Sequence, residues 1–248
     1  MRPETSSSGR RILSGVVAVV GCDGAGKSRL STDLATELQD VGPIEFIYLG
    51  QSSGNIAEWI RGIPLVGPFV GRYLGRRAER THSKAKSPDA AAAIVIFMLS
   101  LWRAYKFRRM LELDRRGAAV ITDRYPQAEV QGFYFDGPGL NGELAQGKFV
   151  RGLAALELRL YQWMATHVPA VVIRLNVDAD TAHARKPDHK LSMLREKIAV
   201  IPGLTFNGAK ILDLDGRTSY PGVLEAALQS ARGIHRAKSS AQNQSPSR

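Results

Sequence analysis

"VVAVVGCDGAGKSRL", Val16 to Leu30, decides how the rest of the chain is read. Five apolar residues, four of them β-branched, form a run suited to a strand buried on both faces. Three glycines, a lysine and a serine follow at once. The pattern G-x-x-x-x-G-K-[ST] is met by Gly21, Cys22, Asp23, Gly24, Ala25, Gly26, Lys27 and Ser28. Between a strand and a helix, such a turn aims successive backbone N–H groups inward as an anion cradle. Lys27 is then placed to reach the β- and γ-phosphates of a nucleoside triphosphate, ATP, and Ser28 to ligate Mg²⁺. Cys22 fills a free position of the loop.

The remaining chain fits one domain around that stretch. With 248 residues, 44% hydrophobic and 23% charged, it has room for one sizeable α/β core. Short β-branched runs alternate with helical periodicity. Strands are expected at Val16–Val20, Ile44–Gly50, Ala118–Asp123 and Ala170–Val177, with a fifth over 210–216. Helices are expected over Lys27–Asp40, from a Ser87 cap with Pro88 and Asp89 to a stop at Gly117, over Phe149–His167 with Phe149, Leu153, Leu156, Leu160, Trp163 and His167 as its apolar face and Pro169 as terminator, over Thr181–Val200, and over Val223–Ile234. A short helix is expected near Asn55–Arg61. This order predicts a three-layer P-loop fold, a five-stranded parallel sheet with helices on both faces. Residues 1–10 and 236–248, rich in Ser, Arg, Lys and Gln, are expected to be disordered, leaving 11–235 as the domain.

Composition removes several classes. A lone cysteine excludes an internal disulfide framework and suits a reducing cytoplasm. The uncharged stretch Ala90–Trp102 falls short of the ~20 residues of a membrane span. The net charge of +11 concentrates in Arg72–Lys86 and the C-terminal tail, and neither has the interleaved aromatics of a base-stacking surface; no nucleic-acid partner is expected. No G-x-S-x-G and no metal-ligand cluster appears, which removes a Ser/His/Asp hydrolase and a zinc site.

The third strand ends in "ITDRY", so Asp123, Arg124 and Tyr125 reach the carboxyl edge where α/β sheets bind ligands. A carboxylate there can hold hydrated Mg²⁺, and an arginine can clamp an anionic acceptor. A further cation is required for transfer, and "ARKPDHKLSMLREK" (184–197) carries Arg185, Lys186, Lys190, Arg195 and Lys197.

"GCDGAGKS", "DRY" and "LNVDADTAHARK" together resemble the thymidylate kinase family, and most of all its divergent members associated with surface-polysaccharide synthesis. The resemblance implies that Asp23 lies beside the acceptor, that Arg124 and Arg103 hold it with Tyr125 nearby, and that Asp123 and Ser28 serve the metal. It implies that the lid, about 184–200, supplies the catalytic arginine, with Arg185 at its start and Lys190 and Arg195 as further lid cations. The implied activity is ATP- and Mg²⁺-dependent phosphorylation of a nucleoside monophosphate, with a homodimer as the oligomer the family suggests. The family's Arg-Glu-Pro-Gly-Gly segment is replaced by "YLGQSSGN", and "DGPG" (Asp136–Gly139) reads as a specialised acceptor-side loop. Two alternatives stay open: a P-loop kinase of a nucleoside, sugar or lipid-linked saccharide, and a non-catalytic ATP-binding interaction protein.

Overall fold

The computed structural model describes residues 9–51, 89–132 and 135–243. The expected Asn55–Arg61 helix, the Ser87 cap, Pro88 and the basic Arg72–Lys86 stretch lie outside the described residues. Five strands, β1 (Arg11–Gly21), β2 (Ile44–Tyr48), β3 (Ala119–Asp123), β4 (His167–Asn176) and β5 (Ile211–Asp215), form one parallel sheet in the order β2-β3-β1-β4-β5.

The alternation along β1 builds both cores. Val17 and Val19 face α1 (Lys27–Glu37) and the closing helix α6 (Tyr220–Asn243), meeting Leu30, Leu34, Val223 and Ala227. Val16, Ala18 and Val20 face the other side, where α2 (Ala90–Arg115) and α3 (Lys148–Ala165) bring Phe107, Met110, Tyr161 and Met164. Each fully buried Val or Leu contributes about 1.5–3 kcal/mol, and together they hold the strand carrying the glycine loop between two packed layers. The three-layer parallel architecture is as the sequence predicts.

Among the described residues, α2 is the one helix long and apolar enough to cross a membrane by length and composition. Its buried face, through Ala104, Phe107 and Met110, is part of the core against β1 and β3. Its N-cap is Asp89, whose carboxylate accepts from the Ala92 N–H at 2.7 Å, and Gly117 beyond its end takes φ +91°.

Several boundaries differ from expectation. β1 begins at Arg11, whose N–H donates to the Thr166 carbonyl at 2.8 Å. α3 ends at Ala165 and Pro169 stands inside β4, opposite Leu13. The register shifts just beyond it, between Leu13 and Val17, and β5 pairs with β4 only from Val172; such an irregular stretch tolerates a residue without an N–H. The segment expected as one helix over Thr181–Val200 divides into α4 (Ala179–Arg185), capped by Asp178, and α5 (Leu191–Val200). α6 starts at Tyr220 and continues to Asn243, so the closing helix enters the segment expected to be a disordered tail.

The face of α3 is also displaced. Phe149 and Leu156, expected to point inward, are 56% and 50% exposed. The buried positions are Val150, Ala154, Glu157, Tyr161 and Met164, one residue along the same period. A polar pair, Glu157 and Tyr161, sits on the inward face because each finds partners there.

Candidate functional site

β1 and β3 are neighbours in register Val19↔Asp123, so the glycine loop and Asp123 leave the sheet side by side. The loop turns through Gly24 at φ +84° and Gly26 at φ +97°. Gly26 is the N-cap of α1. A Cβ on Gly24 would lie 2.5 Å from the Ala182 carbonyl oxygen of α4, so only glycine lets α4 pack this close.

Lys27 is 6% exposed and curls over its own loop, donating to the Cys22 carbonyl at 2.6 Å, with Asp23 at 3.9 Å. Burial and the nearby Arg124 bring its pKa down to about 8. Ser28 Oγ donates to Asp123 Oδ2 at 2.6 Å. Asp123 is 1% exposed, and its other oxygen, Oδ1, has no hydrogen-bond partner among the described residues. An orphaned buried carboxylate oxygen beside a hydroxyl fits a hydrated Mg²⁺, which takes one or two protein oxygens and otherwise water and phosphate. No group of three His, Cys, Asp or Glu among the described residues forms a closed metal cage.

Asp23 stands at the centre of the charges. Its Oδ1 accepts from Arg124 Nη2 at 2.9 Å, and its Oδ2 accepts from Lys197 Nζ of α5. His189 Nδ1 lies 3.7 Å from Oδ2. Burial alone would raise the carboxyl pKa, yet Lys197, Lys27 and Arg124 outweigh it and hold the group well below the usual carboxylate range. Arg124 takes φ +72°, a strained conformation for a residue with a side chain, and thereby aims between two acids. Its Nη1 donates to Asp136 Oδ2 at 3.3 Å. Asp136, first by itself and together with Asp23, pushes the guanidinium pKa further up.

Arg103, only 1% exposed, donates to Asp136 Oδ1 at 2.6 Å, to the Asp136 carbonyl at 2.9 Å and to Tyr161 OH at 3.2 Å. Below it lies a polar cluster. Gln51 donates to Tyr161 OH at 2.9 Å and to Ser100 Oγ at 3.1 Å, and Ser100 donates to Glu157 Oε1 at 2.5 Å. Glu157 also accepts from the Gly139 and Leu140 N–H groups, which ties the Asp136–Gly139 turn to α3. Burial pushes the Glu157 pKa up despite those donors. Lys106, one turn beyond Arg103, donates to the Gly50 carbonyl at 2.5 Å; burial, then Arg103, lowers its pKa to about 7.

On the other side of the loop, the Arg185 guanidinium donates to the Gly216 carbonyl at 3.0 Å and to the Gly24 carbonyl at 3.4 Å. It borders a cleft of about 290 Å³ lined also by Ala25, Gly26, Arg29, Thr218 and Tyr220.

The structure therefore gathers the glycine loop, Lys27, Ser28, Asp123, Arg124, Arg103 and Arg185 along one edge of the sheet. Tyr125 is not among them. It is 2% exposed, edge-on to Phe107 in the core, and its OH donates to the His167 carbonyl at 2.7 Å, so its side chain braces β4. Lys190 and Arg195 are exposed and make no ion pair among the described residues. Gln51 and Lys106 were missed by sequence reading, Asp136 entered only as part of an acceptor-side loop, and Lys197 stood only as one cation of several. The signal for Asp136 was the "DGPG" turn; Gln51 had none beyond standing in the segment that departs from the thymidylate kinase pattern.

This five-stranded parallel sheet, with a glycine loop after β1, a strand-end Asp on β3 and helices on both faces, is the α/β fold of P-loop kinases. Deoxyadenosine kinase from M. mycoides, solved with the products dCMP and a flexible dCDP bound, superposes with a TM-score of 0.51 at 13% identity, over 88% of this chain and 99% of that one. At that identity the likeness is one of fold. The chain belongs to the family of two Escherichia coli proteins. It is 53% identical over 225 residues to the uncharacterized ATP-binding protein YghS of strain K12, covering 90% of this chain and 94% of YghS. It is 46% identical over 216 residues to the uncharacterized ATP-binding protein YghR of the same strain, covering 87% and 86%. No protein-family model matches the chain.

Proposed function

We propose that the chain is an ATP- and Mg²⁺-dependent kinase that transfers the terminal phosphoryl group to an acceptor of the nucleotide or nucleoside class, in the cytoplasm. The observation that carries this reading is Asp23, which touches both halves of the crevice. It lies 3.9 Å from Lys27 of the glycine loop on one side and 2.9 Å from Arg124 on the other. The names given to YghS and YghR support ATP as the donor, and the fold shared with deoxyadenosine kinase supports a nucleoside-like acceptor.

In this reading the loop amides and Lys27 hold the β- and γ-phosphates, with Lys27 exchanging the Cys22 carbonyl for phosphate oxygen. Ser28 and Asp123 hold Mg²⁺, which when bound neutralises charge on the transferring group. Arg185, already over the Gly24 carbonyl, swings to the equatorial oxygens, and the cleft beside it takes the nucleoside of ATP. Arg124 and Arg103 face the acceptor. The resemblance to thymidylate kinases implies a nucleoside monophosphate there, its phosphate meeting these two arginines. Catalysis is then alignment and electrostatic stabilisation, with no covalent intermediate.

Coupled detection of ADP release tests the proposal across a panel of nucleosides and their monophosphates. Turnover that depends on an acceptor, and that Lys27→Ala and Arg124→Ala each reduce at least a hundredfold, is expected. Slow ATP hydrolysis indifferent to every acceptor and to both substitutions would refute it.

A further inference from the structure

The arginines on the acceptor side already have resident anions. Asp136 takes Arg103 on one oxygen at 2.6 Å and Arg124 on the other at 3.3 Å, while Asp23 takes the far edge of Arg124 at 2.9 Å. Guanidinium and carboxylate thus alternate, Arg103–Asp136–Arg124–Asp23. A seat for a phosphate dianion leaves guanidinium edges open; here carboxylates occupy them. At an effective dielectric of about 20, Asp136 taken alone opposes a negative charge about 4 Å away by roughly a thousandfold, and its two arginine partners spend on Asp136 and Asp23 the charge that would offset this.

The polar groups left over are neutral in their demand. Gln51 Oε1 and Arg103 Nε are buried and have no hydrogen-bond partner among the described residues, on side chains 4% and 1% exposed. Both side chains bond the same Tyr161 hydroxyl, so the free acceptor and the free donor flank one phenol. A ligand with one hydrogen-bond donor and one acceptor satisfies both without bringing charge.

We propose that Asp136 sets the acceptor class of this kinase, selecting an uncharged hydroxyl compound, a nucleoside or sugar, against its phosphate ester. This rests on the kinase reading above and departs from the nucleoside monophosphate that the family resemblance implies. The acceptor hydroxyl oxygen bonds to the γ-phosphorus as the bond from that phosphorus to the β,γ-bridging oxygen breaks. ADP leaves with that electron pair, and the hydroxyl proton passes to Asp23, the carboxylate shared by the two halves. Because proton loss is late in a loose transition state, a weakly basic carboxylate serves.

Titration calorimetry on the full chain, saturated with Mg²⁺ and a non-hydrolysable ATP analogue, tests this. In wild type, thymidine against thymidine monophosphate and glucose against glucose 6-phosphate are compared; at least one hydroxyl compound binds tenfold or more tightly than its ester. Inorganic phosphate binds Asp136→Asn at least tenfold more tightly than it binds wild type or the charge-keeping Asp136→Glu. A wild type that prefers the ester in either pair, or an Asp136→Asn that gains no phosphate affinity, overturns the proposal. The wild-type pairs need no variant to fold. Failure of the ATP analogue to bind wild type counts against the kinase reading alone, and the phosphate comparison still reads Asp136.

Discussion

Replacing Arg103 by Met, alone and together with Asp136→Asn, measures how much of the molecule's stability the buried ion pair carries. Arg103 is 1% exposed and Asp136 17%, with 2.6 Å between charged atoms. Removing one partner of a buried pair costs about 3–5 kcal/mol, because the other charge is left without compensation. Asp136 keeps Arg124 at 3.3 Å after the loss of Arg103, which offsets part of that cost. Arg103→Met should therefore destabilise by about 2–3 kcal/mol, and Asp136→Asn by a similar amount, since Arg103 retains the Asp136 carbonyl and Tyr161 OH. The double variant should cost less than the sum by about 1.5–2 kcal/mol. Urea unfolding of the four proteins, with the denaturant slope checked for constancy, gives the coupling energy. Single effects that add to within about 0.5 kcal/mol would show that the two side chains are mere neighbours, and the electrostatic account of the acceptor side would fail with them.

Three further outcomes follow from the geometry. Gly24→Ala, which puts a Cβ 2.5 Å from the Ala182 carbonyl at φ +84°, should cost about 1–3 kcal/mol in unfolding and weaken ATP affinity; unchanged values in both would refute the close packing of lid on loop. Arg185→Ala, an exposed change, should leave the melting temperature within about 1 °C and lower turnover about a thousandfold; retained turnover would remove Arg185 from catalysis. Lys106 has its pKa lowered from 10.5 to about 7, so between those values the unfolded chain holds a proton that the folded chain has shed. Stability should rise with pH across that window by at most about 1.4 kcal/mol per unit, and Lys106→Met should flatten the rise relative to wild type; identical pH profiles would contradict the burial argument.

How far the sequence alone reaches depends on whether local chemistry or tertiary partners settle a residue. The glycine loop was legible because a turn of that shape needs glycine at Gly24 and Gly26, and Val16–Val20 because a strand covered on both faces is apolar throughout. Asp123 and Arg124 followed from the end of β3. Pro169 misled because it stops helices far more often than it sits in a strand, and the register slip that admits it depends on β1. The inward face of α3 was misplaced because Glu157 and Tyr161 look like surface residues until Ser100, Gln51 and Arg103 are brought to them by other elements. Tyr125 was assigned to the ligand side by its position after Arg124, but the positive φ of Arg124 redirects the chain and sends the next side chain into the core. Asp136 lies twelve residues beyond Arg124 along a loop, and no periodicity links it to the two arginines it joins.

The claim on which the rest depends is that the amides of Gly21–Ser28 and the ammonium of Lys27 seat the phosphates of ATP. Titration of an Mg²⁺-loaded, non-hydrolysable ATP analogue into wild type and Lys27→Ala tests it directly. One site in wild type, weakened at least tenfold by the substitution while the melting temperature of the free protein is preserved, is the predicted result. Equal affinity in the two proteins, or no binding to wild type, would contradict it.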